Sequence, residues 1–252
     1  MGTKTVIVVP CFNEADRLDA DAFTAYAAAR PRVGFLFVND GSTDNTAAVL
    51  ESLHQSNPSV FEVHSLPRNR GKAEAVRVGM LKACEGGAAI TGFWDADLST
   101  PLGELDGFLD LLDQRPDIEM VFGARINLLG RSIHRKLSRH YAGRIFATIV
   151  ATTLGLPIYD TQCGAKLFRA NDELVELLRE PFLSRWVFDV EILARCIAAR
   201  RGTDRPSVRD TVYELPLHEW NDVDGSKLRL RDFVIGSGDF LRIYRKYLWR
   251  VR

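Results

Sequence analysis

Asp95 and Asp97 follow directly on the apolar run from Ala88 to Trp94. At the end of a strand, two carboxylates two residues apart can converge on one divalent cation and a ribose. Hard cations such as magnesium or manganese take oxygen ligands, often one or two carboxylates together with substrate phosphates. An Asp-x-Asp alone also arises by chance as a pair of solvated turn carboxylates, so its company matters. Asn39-Asp40-Gly41-Ser42-Thr43-Asp44 closes a second apolar run. There Asp40 can accept hydrogen bonds from a base or ribose, and Ser42 to Asp44 suit the start of a helix. Pro10-Cys11-Phe12-Asn13-Glu14 closes a third run, with Asn13 and Glu14 suited to a helix start or a ligand contact. Arg70-Gly71-Lys72 precedes a helical pattern, where backbone amides and Lys72 can face a phosphate or a base.

The second half carries different chemistry. From Arg125 through Tyr159 there are six Lys or Arg residues and no Asp or Glu. A solvated basic face usually carries balancing acids, so this run points to phosphate, which an Arg fork matches well. Asp189 is the first candidate, and Glu191 the second, for the general base that a hydroxyl acceptor would need; Asp189 is also placed to orient acceptor or sugar, and salt bridging along a helix is the plainer role for both. Gln162 and Lys166 can reach an acceptor phosphate or a sugar. Trp186 and Trp220 suit stacking or buried packing equally well. The five histidines show no metal-ligand spacing, and the four cysteines, Cys11, Cys84, Cys163 and Cys196, form no C-x-x-C pair. Free thiols in a reducing compartment are expected.

These residues need elements to position them. Buried strands are expected at 6–10, 33–38, 60–66, 88–94 and 118–122. Helices are expected at 13–30, 43–54, 73–84 and 102–114. This alternation implies a parallel sheet with helices on both faces. Ligands then bind outside the carboxyl ends of the strands, where the polar clusters lie. Further on, the pattern predicts one or two basic helices over 131–156, helices near 174–178 and 187–199, a strand at 212–217, and a basic amphipathic helix over 240–251. A chain of 252 residues with 46% apolar and 26% charged residues suits one α/β domain. Basic and acidic residues balance at 33 each, which argues against a nucleic-acid partner. There is no signal-peptide pattern, and the longest uncharged run, 145–159, falls short of a membrane span. The basic stripe near the C-terminus predicts peripheral contact with an anionic membrane.

Taken together, the motifs at 9–14, 39–46, 69–72 and 95–97 resemble the family 2 glycosyltransferases. Asp160-Thr161-Gln162-Cys163-Gly164-Ala165-Lys166-Leu167-Phe168, 185–191 and 219–228 resemble the polyprenyl- and dolichyl-phosphate sugar transferases, in particular the dolichyl-phosphate β-glucosyltransferase group. The resemblance spans 6 to about 248 and implies a GT-A nucleotide-sugar-binding fold, a mostly parallel central sheet flanked by helices, with C-terminal helical elements for the acceptor and the membrane interface. It implies one domain over 1–252, with 1–124 as the nucleotide-sugar half and 125–252 as the acceptor half. Pro10, Asn13, Glu14, Asp40 and Lys72 match positions that line the nucleotide pocket. Asp95 and Asp97 match those that hold ribose and metal, and Lys227 one that closes over the diphosphate. Arg125, Arg135, Ser138 and Arg139, with Gln162, are expected at the acceptor phosphate. The implied activity is inverting transfer of a sugar, glucose from UDP-glucose, to a polyprenyl or dolichyl phosphate. Mg2+ or Mn2+ is the implied cofactor, and the implied place is the cytoplasm or the cytoplasmic face of a membrane. A metal-dependent transferase with a soluble acceptor is the alternative.

Overall fold

The computed structural model describes residues 4–134, 137–223 and 238–249, with side chains described in these ranges except at 134 and 137–143. The elements run β1 (Thr5–Cys11), α1 (Ala20–Ala29), β2 (Val33–Asn39), α2 (Thr46–Ser56), β3 (Phe61–Ser65), α3 (Lys72–Glu85), β4 (Ile90–Trp94), α4 (Glu104–Gln114) and β5 (Met120–Ala124). They continue with β6 (Ser132–His134), α5 (Leu137–Leu154), β7 (Ala165–Arg169), α6 (Asp172–Arg179), α7 (Phe188–Arg200), α8 (Val208–Thr211), β8 (Val212–Pro216) and β9 (Glu219–Asn221). A last helix starts at 238 and widens into a π-turn over Tyr244–Leu248. Two compact units result: residues 1–106 with 164–181, and residues 107–163 with 182–252.

In the first unit the strand order is β3-β2-β1-β4-β7. The first four strands are parallel, and the continuous apolar runs of β1, β2 and β4 are what burial on both faces demands, while β3 at the edge (Phe61-Glu62-Val63-His64-Ser65) is largely uncovered. Phe23 of α1 meets Phe35 and Phe37 edge-on, with ring centroids 5.1 Å apart in both pairs. Because side chains alternate along a strand, Val38 belongs to the opposite face. There α3 lies so close that a Cβ on Gly79 would fall 2.4 Å from a Val8 methyl and 2.9 Å from one of Val38. Helices therefore cover both faces, as the alternation of elements predicts.

Two differences from the sequence pattern bear on the site. The helix expected from residue 13 begins only at Ala20, capped by Asp19, whose carboxylate accepts the Ala22 amide. Asn13 has a left-handed backbone (φ 52°), which breaks the helix and leaves 12–19 as a turn at the end of β1. The other is β7, which the sequence pattern did not predict. It runs antiparallel to β4, pairing Trp94 with Ala165, so the sheet is mixed.

In the second unit β5 pairs with β8, and β6 with β9, both parallel. The start of the region expected to be helical, 131–156, is the short strand β6, and the helix occupies 137–154. Helix α7 is the core element of this unit, with ten of its residues buried, Asp189, Glu191 and Arg195 among them.

Candidate active site

The first unit gathers most of the predicted donor residues at the carboxyl ends of β1, β2 and β4. Pro10 lies on β1 opposite Val38, and the chain then turns back through Asn13. The Asn13 amide donates to Ser42 Oγ (3.0 Å), and Asn13 Oδ1 accepts the Thr43 amide (2.8 Å). The Glu14 amide donates to Thr46 Oγ1 (2.8 Å). Asp44 completes the stitch: its carboxylate accepts the Thr46 hydroxyl and amide and the Ala15 amide. Those bonds, the Thr46 hydroxyl first, hold the Asp44 carboxyl below the usual aspartate range. Ser42, Thr43 and Asp44 thus clamp the β1 turn onto the start of α2.

Asp40 is buried, and its two oxygens accept the amides of Arg70 (2.7 Å) and Gly71 (2.8 Å). It sets the loop that delivers Lys72 to the first turn of α3. Gly41 permits this loop to close: its φ is 65°, and a Cβ there would lie 2.5 Å from the backbone of Arg68 and Asn69. Lys72 Nζ then reaches Asp95 Oδ1 at 2.5 Å. The Asp95 amide donates to the Gly164 carbonyl (3.0 Å), and a Cβ on Gly164 would collide with the Asp95 carboxylate. The glycine at 164 is therefore required by the Asp95 side chain.

Asp97 Oδ2 accepts from Arg17 (3.0 Å), whose Nε lies 3.0 Å from Glu14 Oε2, and Asp97 Oδ1 accepts the Ser99 amide (3.1 Å). The Asp95 and Asp97 side chains keep 32% and 22% of their surface open to solvent. Among the described residues, no group of three or more His, Cys, Asp or Glu side chains is arranged to hold a metal. An accessible, oxygen-only pair fits a hard divalent cation that fills its shell with water and phosphate oxygens.

The second unit holds its predicted acceptor residues differently. Arg125 forms a two-pronged pair with Asp160, Nε to Oδ2 at 2.6 Å and Nη2 to Oδ1 at 2.8 Å, and stacks over buried Trp220 at 5.3 Å. Asp160 also accepts the Gln162 amide, while Glu214 of β8 takes the amides of Tyr159 (2.6 Å) and Asp160 (2.7 Å). The loop 159–163 is thereby fixed from two sides, and Gln162 Nε2 lies 3.4 Å from Asp189 Oδ2. Arg125, expected at the acceptor phosphate, has its fork turned onto Asp160. Glu191 is fully buried. It takes Arg195 at 2.7 Å, the Leu183 amide and the Tyr247 hydroxyl, which makes it a strut. Arg135 and Lys227 lie outside the described residues, as do the side chains of Ser138 and Arg139.

Comparison with known proteins gives the family and the fold. The model of the glycosyl transferase family 2 matches residues 6–174. The chain belongs to glycosyl transferase family 2. A dolichyl-phosphate beta-glucosyltransferase of Trichomonas vaginalis is 30% identical over 263 residues, covering 98% of this chain and 74% of that protein. One of Drosophila melanogaster is also 30% identical, covering 97% and 76%. Among solved structures, glucosyl-3-phosphoglycerate synthase from Mycobacterium tuberculosis, in complex with Mn2+, UDP-glucose and phosphoglyceric acid, superimposes with a TM-score of 0.64. That match has 16% identity and covers 96% of this chain and 80% of that one. The fold is thus the GT-A fold of glycosyltransferases, with a mostly parallel central sheet flanked by helices.

Within this family 2 glycosyltransferase, three residues stand out that the sequence pattern did not single out. Arg17 was hidden inside a stretch that reads as helix, although its spacing of three from Glu14 already allows an ion pair. Glu214 looked like an ordinary polar residue of a short strand. Gly164 stood in a quoted motif, but its reason, the carboxylate of Asp95, is visible only in three dimensions.

Proposed function

We propose that this glycosyltransferase moves glucose from UDP-glucose to a polyprenyl or dolichyl phosphate, with inversion at the anomeric carbon. The observation that carries the reading is the convergence of Asp95, Asp97, Lys72 and Arg17 at the strand ends. That is a charge-paired cradle suited to a diphosphate, in a chain similar over nearly its whole length to proteins named for dolichyl phosphate.

In this reading, Pro10, Asn13, Glu14 and the Asp40-fixed loop hold the nucleoside, Asp95 the ribose, and Lys72 with Lys227 the diphosphate. Asp97, with Asp95, holds Mg2+ or Mn2+, which supplies neutralisation of the charge that grows on the leaving diphosphate. The acceptor oxygen attacks from the face opposite that leaving group. A phosphate monoester is already anionic near neutral pH, so orientation does the remaining work. Arg135, Ser138 and Arg139 grip the acceptor phosphate. Gln162 and Asp189 orient acceptor or sugar, and Arg125 keeps the Gln162 loop in place through Asp160.

A membrane-borne acceptor fits the surface of the second unit. Helix α5 packs on the last helix through Phe146 and Phe240, ring centroids 6.1 Å apart. Around that seam Ile145, Ile149, Leu241 and Trp249 are exposed, with Arg245 and Lys246 beside them. Aromatic, aliphatic and basic side chains together suit an anionic membrane face, here the cytoplasmic one. Among the described residues, no helix is long and apolar enough to cross a membrane.

Transfer from radiolabelled UDP-glucose to polyprenyl phosphate, with Mn2+ or Mg2+ and with a chelator control, tests the proposal. Metal-dependent label in the lipid is the expected result. Metal-dependent hydrolysis of the donor without a lipid product would reject the lipid acceptor and favour a soluble one.

A further inference from the structure

We infer that Arg17 withholds Asp97 from a bare divalent cation, so that the metal binds together with the nucleotide and not before it. The inference rests on the donor-site reading above and goes beyond it by giving Arg17 a role in the order of binding.

The geometry of the turn after β1 carries the argument. Because Asn13 breaks the helix, residues 14–17 form a tight turn, with the Arg17 amide donating to the Glu14 carbonyl at 3.0 Å. That turn aims the Arg17 side chain across to the loop after β4. Glu14 Oε2 lies 3.0 Å from Nε as an ion pair, and Nη2 at the far end of the guanidinium donates to Asp97 Oδ2, also at 3.0 Å. The other oxygen of Asp97 receives the Ser99 amide at 3.1 Å. Lys72 engages Asp95 in the same way. Among the described residues, Arg17 and Lys72 thus offset two of the three negative charges of Glu14, Asp95 and Asp97, which weakens their attraction for an ion that must shed water to bind.

A lone Mn2+ at Asp97 has to share the carboxylate with these donors and sit beside a guanidinium of like sign. A nucleoside diphosphate changes both terms. It brings its own negative charges, and it offers Arg17 phosphate oxygens that match the guanidinium fork as well as a carboxylate does. Arg17 can then pass from Asp97 to the diphosphate while Asp97 turns to the cation. The Arg17 side chain is 23% exposed, open enough for that movement and buried enough to be steered by Glu14. An ordinary surface brace would contribute little in either direction.

Arg17 is in these terms a positioning residue, and Mn2+ binding without turnover reads its role. Electron paramagnetic resonance of free Mn2+ is titrated with the full chain as wild type, Arg17→Gln and Arg17→Lys, in the absence of nucleotide. Removing the competing charge should tighten Mn2+ binding by roughly tenfold, the scale of a single charge acting on a divalent ion through water. Arg17→Lys keeps the charge and should stay near wild type. Arg17→Met, which retains the aliphatic stem, gives the same reading if the glutamine variant misfolds. Adding Asp97→Asn to the tightened variant should abolish the gain. An Arg17→Gln or Arg17→Met protein that binds Mn2+ no tighter than wild type overturns the inference, as does a gain that survives loss of Asp97. Wild-type protein that binds no UDP with Mn2+ present would instead overturn the donor-site reading, and the nucleotide-free titration would still report on Arg17.

Discussion

The two units use the same pairing of carboxylates with cations to opposite ends. In the first unit, Asp95 meets Lys72, Asp97 meets Arg17 and the Ser99 amide, and both carboxylates stay a fifth to a third exposed. In the second, Asp160 and Glu191 are 8% and 0% exposed, and each accepts from an Arg side chain and a backbone amide. The first kind of pair can trade partners, because water screens the loss of one. The second kind cannot, because a buried carboxylate without its cation carries an unrepaid desolvation penalty. The charge signs are the same in both units, and the difference in exposure separates a pair that can trade partners from one that cannot.

That contrast can be broken at several points. Arg195→Leu leaves the Glu191 carboxylate buried without its cation, and should cost about 3–5 kcal/mol of stability. Thermal unfolding should show it as a drop of roughly 10 °C in a chain of this length. Asp97→Asn should behave inversely, lowering sugar transfer by roughly 10²–10³-fold with an unchanged melting temperature. Arg125→Lys keeps the charge but loses the fork, and should cost about 1.5–3 kcal/mol. If its stability matched wild type while acceptor KM rose, Arg125 would belong to the acceptor site and not to the strut.

The smallest effect concerns pH. The hydrogen bonds from Arg77, reinforced by its charge, hold the Glu74 carboxyl below the usual glutamate value of 4.5. A lowered folded value stabilises the protein fully above the unfolded value, and the contribution is lost as pH falls through the folded one. The difference in melting temperature between wild type and Glu74→Gln should therefore be constant at neutral pH and shrink below about pH 4.5. A difference that persisted unchanged into acid would remove this pair from the account.

How much of this was legible in the sequence follows from the range of the interactions. The parallel strands β1, β2 and β4 were legible because continuous apolar runs ending in polar clusters report burial directly. The Asp95–Asp97 pair was legible for the same reason. Strand β7 was not, since residues 165–168 sit inside a motif whose polar residues drew attention to chemistry, and its antiparallel pairing with β4 joins segments far apart in the chain. The partition into units was hidden too, because 164–181 returns to the first one. Arg17 was missed through the period of the pattern: Ala-rich sequence from 20 onward extends a helical reading backward over a turn that the left-handed Asn13 enforces. Arg125 was identified by charge and motif. Its buried partner Asp160, 35 residues away, could not be weighed against a phosphate without the fold.

The most direct test of the central claim, that Asp95 and Asp97 form an exchangeable site where a nucleotide and a cation meet, is calorimetric binding of UDP with and without Mn2+. Wild-type protein and Asp97→Asn are compared. The account predicts tight UDP binding by wild type only when Mn2+ is present, and loss of that metal dependence in Asp97→Asn. UDP binding of equal strength with and without Mn2+, unaltered by Asp97→Asn, would contradict it.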